Sequence, residues 1–350
     1  MKNRKLRVGI IGTGGISGLH FQGWQKLPDC EIVACYDLSP EAAKKRAEEF
    51  GVPDTYKTAQ ALLARKDIDV VDVCTPNRFH RKYAVAALNA GKHVLCEKPL
   101  ALTPREVDAM IAAAKKRKRK LMCAQHQRFQ ASSEALKQYL TKPGIGEVYY
   151  TRAWYLRRRQ LPTRPGFIYK KQSGGGPCID VGVHILDLAL YMMGNFEPVS
   201  VFGMSVTKLA KRRETWSEWD WGCFDKKGLD VEDFAAGMVR FADGAMLSLE
   251  CSWMANIKPR GYQSIDLLGT KAGAKWPECE IYDHTDRDYM DTKIDVRDRG
   301  EEAHHAEVRH FAEAIMGGKP VPVPPEQSRA VMAILDGLYR SQKTGHEVRL

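Results

Sequence analysis

The sequence has no apolar run that is long enough to cross a membrane. Its longest apolar-looking segment, residues 185–193, contains Asp187 and is much shorter than the roughly 20 apolar residues of a transmembrane helix. The basic first residues are not followed by the apolar stretch and small-residue cleavage site of a signal peptide. We therefore expect a cytoplasmic protein with no membrane partner.

Closely spaced cysteines are also absent. None of the nine cysteines forms a Cys-x-x-Cys pair, so we predict no metal site. Several of them stand in apolar surroundings, namely Cys35, Cys74, Cys96 and Cys251. The odd number and these surroundings favour buried, reduced thiols, as in the cytosol.

Acidic residues are fewer than basic ones, which raises the question of an anionic partner. The chain has 54 lysines and arginines against 43 acidic residues, a net charge of +11. The densest basic run, residues 115–120, follows a helical pattern over residues 106–114, and cations at a helix C-terminus are favourable. No nucleic-acid-binding motif accompanies the run. A solvated helix end is therefore favoured over a nucleic-acid site, and we expect no nucleic-acid partner.

The length of 350 residues exceeds the size at which one hydrophobic core keeps growing, so two domains are expected. In the first third of the chain, apolar strand patterns alternate with helical patterns. The strand patterns cover residues 6–11, 31–36, 69–74 and 92–96, and the helical patterns cover residues 16–27, 40–50 and 83–90. This alternation is typical of parallel strands joined by right-handed crossovers. We predict an α/β fold with a doubly wound Rossmann domain over residues 1–125.

The rest of the chain is richer in strand patterns. These cover residues 148–156, 199–207, 232–241, 245–253 and 262–268, with helical patterns over residues 132–140, 303–316 and 327–344. Asp243-Gly244 predicts a hairpin turn, and the prolines of residues 320–325 predict a non-helical connector. We predict a second α/β domain over residues 126–350 with a large, open, mostly antiparallel or mixed sheet. An alternative within this prediction is that the C-terminal helix packs back on the first domain.

A glycine-rich turn directly follows the first strand and opens the first helix, with the sequence Gly12-Thr13-Gly14-Gly15-Ile16-Ser17. Gly12 permits the tight turn, Gly14 lets the backbone approach a pyrophosphate, and the small Ser17 allows close packing. The helix N-terminus then offers free N–H groups to the phosphates. We expect a dinucleotide here, in contact with Gly12, Gly14, Gly15 and Ile16.

Asp37 ends the second strand 20 residues after Ser17, where an acid accepts hydrogen bonds from a ribose 2′-hydroxyl. It would repel a 2′-phosphate, so NAD is preferred as the cofactor. NADP remains the alternative, because Lys44 and Lys45 follow closely in the sequence. Asp37 could also be a helix-capping or turn acid.

Two further motifs follow buried strands, at the strand ends where open α/β sheets bind ligands. The first contains Thr75, Pro76, Asn77 and His80, and the second is Glu97-Lys98-Pro99. We expect all of these except Pro99 to line the cofactor site. Asn77 and His80 are expected to position the cofactor or a loop and not to perform chemistry.

A third motif begins with Gly174-Gly175-Gly176. If a helix begins at about Pro177, then Asp180, His184 and Asp187 share one of its faces. This arrangement is typical of a site, although His184 alone, between two apolar residues, could be a buried core histidine.

Together these motifs resemble the glucose–fructose oxidoreductase / inositol dehydrogenase / rhizopine-catabolism (Gfo/Idh/MocA) family over essentially the whole chain. The combination of Glu97-Lys98-Pro99 with Asp180-x3-His184 carries most of the resemblance. The resemblance implies a cofactor, NAD or NADP, in the first domain and a homo-oligomer, dimer or tetramer, formed through the C-terminal sheet. It also implies a sugar or polyol substrate, Lys98 near nicotinamide and the reacting hydroxyl, and Asp180 and His184 as substrate-site acid and proton acceptor.

The chemistry of these residue types agrees with the implied roles. Hydride loss from a carbinol requires removal of the hydroxyl proton, and histidine is suited to accept it near neutral pH. A lysine cation stabilises negative charge on the oxygen, and an acid such as Asp180 can orient the hydroxyl or the imidazole.

The substrate is expected to contact a strand end that carries Tyr155, Arg157 and Arg159, because arginines bind carboxylate, phosphate or vicinal hydroxyls in a bidentate manner. A solvated or subunit-contact strand end is an equal alternative. Arg128 is a further candidate, since Arg128-Phe129 keeps the end of the Asn-x-Arg or Asn-Arg-Arg-Phe segment that the resemblance implies. Gln127 departs from that segment and puts the asparagine's substrate contact in doubt.

The predicted function is an oxidoreductase that transfers a hydride between nicotinamide and a secondary alcohol or ketone of a sugar, sugar derivative, glycoside or inositol. One alternative is an NAD-dependent glycosidase that uses transient oxidation. Another is a non-catalytic dinucleotide-sensing regulator, against which the retention of Lys98, Asp180 and His184 argues.

Overall fold

The computed structural model describes residues 4–142, 144–220, 228–298 and 300–350. The chain forms two compact units. The first unit contains Met1–Phe129 and Gly300–Arg329, and the second contains Gln130–Arg299 and Ala330–Leu350. The predicted division assigned all of residues 126–350 to the second domain, whereas residues 300–329 belong to the first. The physical reason is that helix α10 (Ala303–Met316) packs against the first helix of the Rossmann unit.

The first unit is a six-stranded sheet with the order β3-β2-β1-β4-β5-β6, and all of its pairs are parallel. Its elements are β1 (Leu6–Ile11), α1 (Ser17–Gln25), β2 (Cys30–Tyr36), α2 (Pro40–Phe50), β3 (Asp54–Tyr56), α3 (Ala59–Leu63), β4 (Val70–Val73), α4 (His80–Asn89), β5 (His93–Glu97), α5 (Pro104–Arg117) and β6 (Leu121–Ala124). This topology confirms the predicted doubly wound fold. The carboxyl ends of the central strands therefore lie side by side at one edge of the sheet.

Local signals explain why α2 has the bounds that the sequence predicts. The Ser39 hydroxyl accepts a hydrogen bond from Ala42 N, Pro40 occupies the first turn, and Gly51 ends the helix with φ +63°. Ser at the N-cap, Pro at N1 and Gly at C′ are the preferred residues there. The short elements β3, α3 and β6 were not predicted, since three to five residues do not establish a period.

The basic run at residues 115–120 lies at the end of α5, as predicted. Lys115, Lys116 and Arg117 are exposed, and Lys115 forms a 3.0 Å ion pair with Glu326. The Arg119 guanidinium donates to Gly91 O at 2.6 Å. These contacts describe a solvated helix end.

The second unit contains a nine-stranded sheet with the order β14-β13-β12-β11-β7-β10-β9-β8-β15. Its elements are α6 (Ala131–Thr141), β7 (Val148–Arg157), α7 (Pro165–Ile168), α8 (Lys170–Ser173), α9 (Val183–Met193), β8 (Pro198–Val206), β9 (Phe234–Phe241), β10 (Met246–Ser252), β11 (Gly261–Gly269), β12 (Gly273–Trp276), β13 (Glu280–His284), β14 (Tyr289–Lys293) and β15 (Val348–Arg349), together with most of α11 (Pro325–Thr344). The β7–β10 pair is parallel and the other pairs are antiparallel, including the predicted β9–β10 hairpin. The predicted mixed sheet is confirmed.

One local prediction in this part of the chain is confirmed with a difference, and another is wrong. The predicted helix begins at Pro177, but its first turn, Cys178–Gly182, is π-helical, and it is α-helical from Val183. Pro325 was assigned to the non-helical connector but is the first residue of α11, because proline is tolerated in a first helical turn, where no N–H bond is required.

One apolar stretch is longer than the 185–193 segment that the sequence suggests. Lys170–Met193 has 24 residues and meets the length and composition of a membrane span, so the prediction that the longest apolar segment is too short is wrong. However, 83% of its most apolar window is buried inside the protein. The core helix of a globular unit has the same property.

Candidate active site

The glycine turn at the end of β1 is shaped by close backbone contacts. Gly12 has φ +98° and donates from its backbone N–H to Tyr36 O at 2.8 Å. A Cβ at Gly12 would lie 2.6 Å from the carbonyl carbon and oxygen of Cys74. Only glycine fits this conformation and this approach to the end of β4.

The next part of the turn is open. No atom lies within 4 Å of the position that a Cβ at Gly14 would occupy, and Gly14, Gly15 and Ile16 are exposed. The turn therefore leaves open space in front of α1, where the positive end of the helix dipole favours an anion. At the neighbouring strand end, the Thr75 hydroxyl oxygen is buried without a hydrogen-bond partner in the described part of the chain. An open phosphate cradle and an unsatisfied hydroxyl beside it fit a dinucleotide.

Asp37 is half-buried and held beside the glycine turn. Its Oδ2 accepts from Thr13 N at 2.7 Å and its Oδ1 accepts from Ser39 N at 3.0 Å. These two hydrogen bonds agree with the alternative interpretation of Asp37 as a turn acid. These contacts also fix the direction of the carboxylate, and its bond to a ribose stays a prediction.

His80 joins two of the predicted cofactor loops. The ring is buried, with Nδ1 at 2.7 Å from Pro99 O and Nε2 at 2.7 Å from Thr75 O. Burial lowers the pKa of His80, although both carbonyl contacts oppose this shift. The ring ties the loop after β4 to the segment after β5, which agrees with a positioning role.

The Glu97 side chain holds the start of the Glu97-Lys98-Pro99 segment in place. Glu97 is 6% exposed, and its Oε2 accepts from Lys98 N at 2.9 Å. Its Oε1 lies 2.9 Å from Nε2 of the buried His20. Burial raises the pKa of Glu97, but the hydrogen bond and charge of His20 outweigh burial and lower this pKa to about 2. Glu97 is therefore an ionised, oriented carboxylate.

In the second unit, the Gly-Gly-Gly segment is held by Glu232, the first residue of the strand pattern predicted over residues 232–241. Both oxygens of Glu232 accept from Gly176 N at 3.0 Å, and Oε1 also accepts from Cys178 N at 3.1 Å and from the Tyr339 hydroxyl at 2.8 Å. A Cβ at Gly176 would lie 2.1 Å from Glu232 O. The glycine is therefore required by this close approach, which places the first turn of the following helix.

Asp180 and His184 lie on that helix. Asp180 belongs to the π-helical turn, and π-helical turns are frequent at functional sites. Its Oδ2 accepts from the Trp253 indole N–H at 2.9 Å and lies 3.6 Å from Nη1 of Arg157. His184 is the second residue of α9 and is 8% exposed.

The predicted substrate residues separate into two groups. Arg157 is buried, donates from Nη2 to the Tyr155 hydroxyl at 3.1 Å and lies over the Trp219 ring at 4.3 Å. Tyr155, Arg157 and Asp180 therefore come together within the second unit. A solvated strand end does not describe this geometry.

Arg159 and Arg128 do not join that group. The Arg159 guanidinium donates to Arg158 O at 2.6 Å and to Asn256 Oδ1 at 2.7 Å, so it holds the loop after β7. Arg128 belongs to the first unit, is 3% exposed and donates to Gln327 Oε1 at 2.6 Å. Both geometries favour structural roles over the predicted substrate contacts.

Sequence reasoning missed His20, Glu232 and Trp253 as residues that hold the site. Their partners lie far away in sequence, with separations of 77 for His20 and Glu97, 56 for Glu232 and Gly176, and 73 for Trp253 and Asp180. No local spacing rule reports such contacts. The sequence offered one signal, the acidic pair Glu232-Asp233 at the start of a predicted strand pattern.

Comparison with known proteins identifies one family across both units. Residues 6–125 match "Oxidoreductase family, NAD-binding Rossmann fold", and residues 133–275 match "GFO/IDH/MocA C-terminal domain". D-glucoside 3-dehydrogenase of Escherichia coli (strain K12) is 34% identical over 352 residues, which cover 100% of this chain and 99% of that protein. Myo-inositol 2-dehydrogenase of Thermotoga maritima is 28% identical over 98% of this chain and 97% of that protein.

A solved structure agrees over the same extent. Levoglucosan dehydrogenase in complex with NADH and levoglucosan superposes with a TM-score of 0.85 at 26% identity, and the match covers 99% of each chain.

Proposed function

Because the chain belongs to the Gfo/Idh/MocA oxidoreductase family, we propose that it is an NAD-dependent dehydrogenase of a sugar, sugar derivative, glycoside or inositol. It transfers a hydride between nicotinamide and a secondary alcohol or ketone of that substrate. The observation that carries this proposal is the open cradle at Gly14 in a chain that also retains Lys98, Asp180 and His184. The full-length similarity to a D-glucoside dehydrogenase supports the substrate class.

When bound, NAD supplies the hydride acceptor. The cradle at Gly12 and Gly14 would hold its pyrophosphate, and Asp37 its ribose. We assign to His184 the acceptance of the hydroxyl proton while the carbinol C–H hydride leaves. Lys98 stabilises the negative charge that develops on the carbinol oxygen. The Asp180 carboxylate, held by Trp253 and facing Arg157, orients the substrate through its hydroxyl groups.

An assay with NAD and NADP against a panel of sugars, inositols and glycosides tests the proposal directly. Reduced nicotinamide should accumulate with at least one free polyol or glycoside. NAD should bind at least about tenfold more tightly than NADP, because Asp37 repels a 2′-phosphate. Glycoside cleavage without net NADH would instead support the glycosidase alternative. Cofactor binding without turnover of any substrate would support the regulator.

A pair of glycine substitutions tests the cofactor site separately. Gly14→Ala should leave the melting temperature unchanged, since no atom lies near the added methyl group. It should weaken NAD binding about tenfold or more, because the methyl group occupies space that the pyrophosphate requires. Calorimetric titration measures the affinity, and NAD binding equal to wild type would contradict the proposed cradle.

Gly12→Ala is the matched substitution, and unlike Gly14→Ala it should lower stability. Its Cβ would meet the Cys74 carbonyl at 2.6 Å and φ is +98°, so the melting temperature itself should fall. The strain amounts to about 1–3 kcal/mol or more.

The remaining predictions concern assembly and compartment. We propose a homo-oligomer, a dimer or tetramer, formed through the second unit's sheet, on which Tyr149, Phe202 and Met204 are exposed. A cytoplasmic location is supported by the eight described cysteines, all of which are buried.

A further inference from the structure

The first unit contains a buried ionisable cluster to which the proposed chemistry assigns no role. It consists of four side chains from four different elements: His20 on α1, Asp72 on β4, Glu97 on β5 and Glu307 on α10. Glu97 is 6% exposed and the other three are 0% exposed. Burying charged groups costs several kcal/mol each unless they are paired, so the pairing within the cluster requires an explanation.

His20 is bonded on both sides. Its Nδ1 lies 2.9 Å from Asp72 Oδ2 and its Nε2 lies 2.9 Å from Glu97 Oε1. Asp72 Oδ2 also accepts from the Trp24 indole N–H at 2.7 Å, and the Cys74 thiol donates to Asp72 Oδ1 at 3.5 Å. Two carboxylates can both accept from one imidazole only when each ring nitrogen carries a proton. Burial lowers the pKa of His20, but Asp72 outweighs burial and raises this pKa well above its ordinary value.

The cluster connects the proposed cofactor helix to the proposed catalytic lysine. The helix α1 begins at the glycine turn, and His20 lies in its first turn. From His20 the path continues through Glu97, whose other oxygen accepts from Lys98 N at 2.9 Å. One buried ring therefore links the turn that would hold the pyrophosphate to the main chain of Lys98.

We propose that His20 is a positioning residue for Lys98, acting through Glu97. This inference rests on the proposed dehydrogenase function, because it assigns Lys98 a role at the reacting hydroxyl. The doubly protonated His20 ring holds Glu97 ionised and in one orientation, so that Glu97 fixes the start of the Lys98-Pro99 segment. A misplacement of about 1 Å in an active site can cost about 10²-fold in rate.

Glu307 provides a control within the same cluster. Neither of its oxygens has a hydrogen-bond partner in the described part of the chain, and burial raises the pKa of Glu307 well above its ordinary range. The other charged groups that act on Glu97 and Glu307 are Lys98, Glu302 and His304. Burial therefore favours the neutral form of Glu307, which shares the cluster but makes no contact with Glu97 or Lys98 at hydrogen-bond distance.

Three variants of the full-length protein test the proposal by kcat, KM, NAD affinity and melting temperature. Glu97→Ala should lower kcat about 100-fold, a loss that exceeds any change in NAD affinity. Glu97→Gln keeps an acceptor for Lys98 N and a polar partner for His20, so it should recover about tenfold or more of that loss. Glu307→Gln replaces the acid by an amide of similar shape and should leave kcat within about twofold of wild type.

A merely structural role predicts a different result. In that case each of Glu97→Ala and Glu307→Gln lowers kcat only to the extent that it lowers the melting temperature. That result, or wild-type kcat in Glu97→Ala, would overturn the proposal. If Glu97→Ala does not fold, the comparison of Glu97→Gln with Glu307→Gln still decides, since only the former should change kcat.

Histidine NMR of the wild-type protein tests the contact between His20 and Glu97 without an activity measurement. The His20 ring should show both N–H protons at a pH well above the ordinary histidine pKa of about 6.5. A singly protonated ring at neutral pH would overturn the inference, as would a stoichiometric divalent metal on His20, because a coordinated nitrogen cannot donate. An inactive wild type with a doubly protonated His20 would instead refute the proposed function, while the contact between His20 and Glu97 would still hold.

Discussion

Replacing Lys98 with methionine is expected to lower kcat by about 10²–10³, the usual cost of removing one group that stabilises developing charge in an active site. Methionine keeps the length and apolar stem of the side chain but removes its charge. The Glu97 contact to Lys98 N involves the main chain and should survive the substitution. Steady-state kinetics with NAD titration should therefore show a loss of kcat that exceeds any change in cofactor affinity.

Lys116→Met is the matched control. Lys116 is an exposed lysine at the end of α5, so the same change of charge there should leave kcat unaltered. A Lys98→Met enzyme with kcat within a few-fold of wild type would eliminate Lys98 from the reaction.

His184→Ala tests the proposed proton acceptor and should lower kcat about 100-fold or more. The remaining rate should rise with pH, because hydroxide can remove the hydroxyl proton when the ring is missing. Added imidazole should restore part of the loss through the space that the side chain vacates. A variant that responds to neither pH nor imidazole would show that His184 does not accept the proton.

Replacing Glu232 with alanine is expected to have the largest effect on stability. The substitution leaves Gly176 N, Cys178 N and the Tyr339 hydroxyl without their acceptor. An unsatisfied buried polar group costs about 1–3 kcal/mol, so the free energy of unfolding should fall by about 3–5 kcal/mol. The turn that carries Asp180 begins at these N–H groups, and substrate affinity should therefore fall together with stability.

Glu232→Gln separates the charge from the hydrogen bonds. It retains an oxygen for the three donors and should lose less than half of what the alanine variant loses. Urea denaturation of both variants measures the difference. A midpoint for Glu232→Ala equal to that of wild type would mean that the segment does not depend on this anchor.

The site shows which kinds of contact could be predicted. The glycine turn, its helix and Asp37 were found because a strand, a turn and a helix follow one another in a short stretch of chain. The placement of Asp180 and His184 on one helical segment was predicted in the same way, from a spacing of four residues. The π-helical turn between them was not, since its widened hydrogen-bond pattern has no signature in the residue types.

The arginines show where prediction from spacing fails. Tyr155, Arg157 and Arg159 are two residues apart and would share one face of an extended strand. However, β7 ends at Arg157, so only Arg157 lies against Asp180, while Arg159 holds the following loop. The end of a strand depends on its neighbours in the sheet, which the local sequence does not specify.

By itself, the sequence determined the alternation of strands and helices, the doubly wound class of the first unit and the motifs to which the chemistry is assigned, because these are patterns within short stretches of chain. Only the tertiary structure decided that Glu232 holds Gly176, that Trp253 orients Asp180, and that His20 joins Asp72 to Glu97. Each of these contacts connects residues more than fifty positions apart. Which of many polar side chains meet across such a distance is decided by the packing of whole elements, since each buried polar group must find a partner that the fold brings to it.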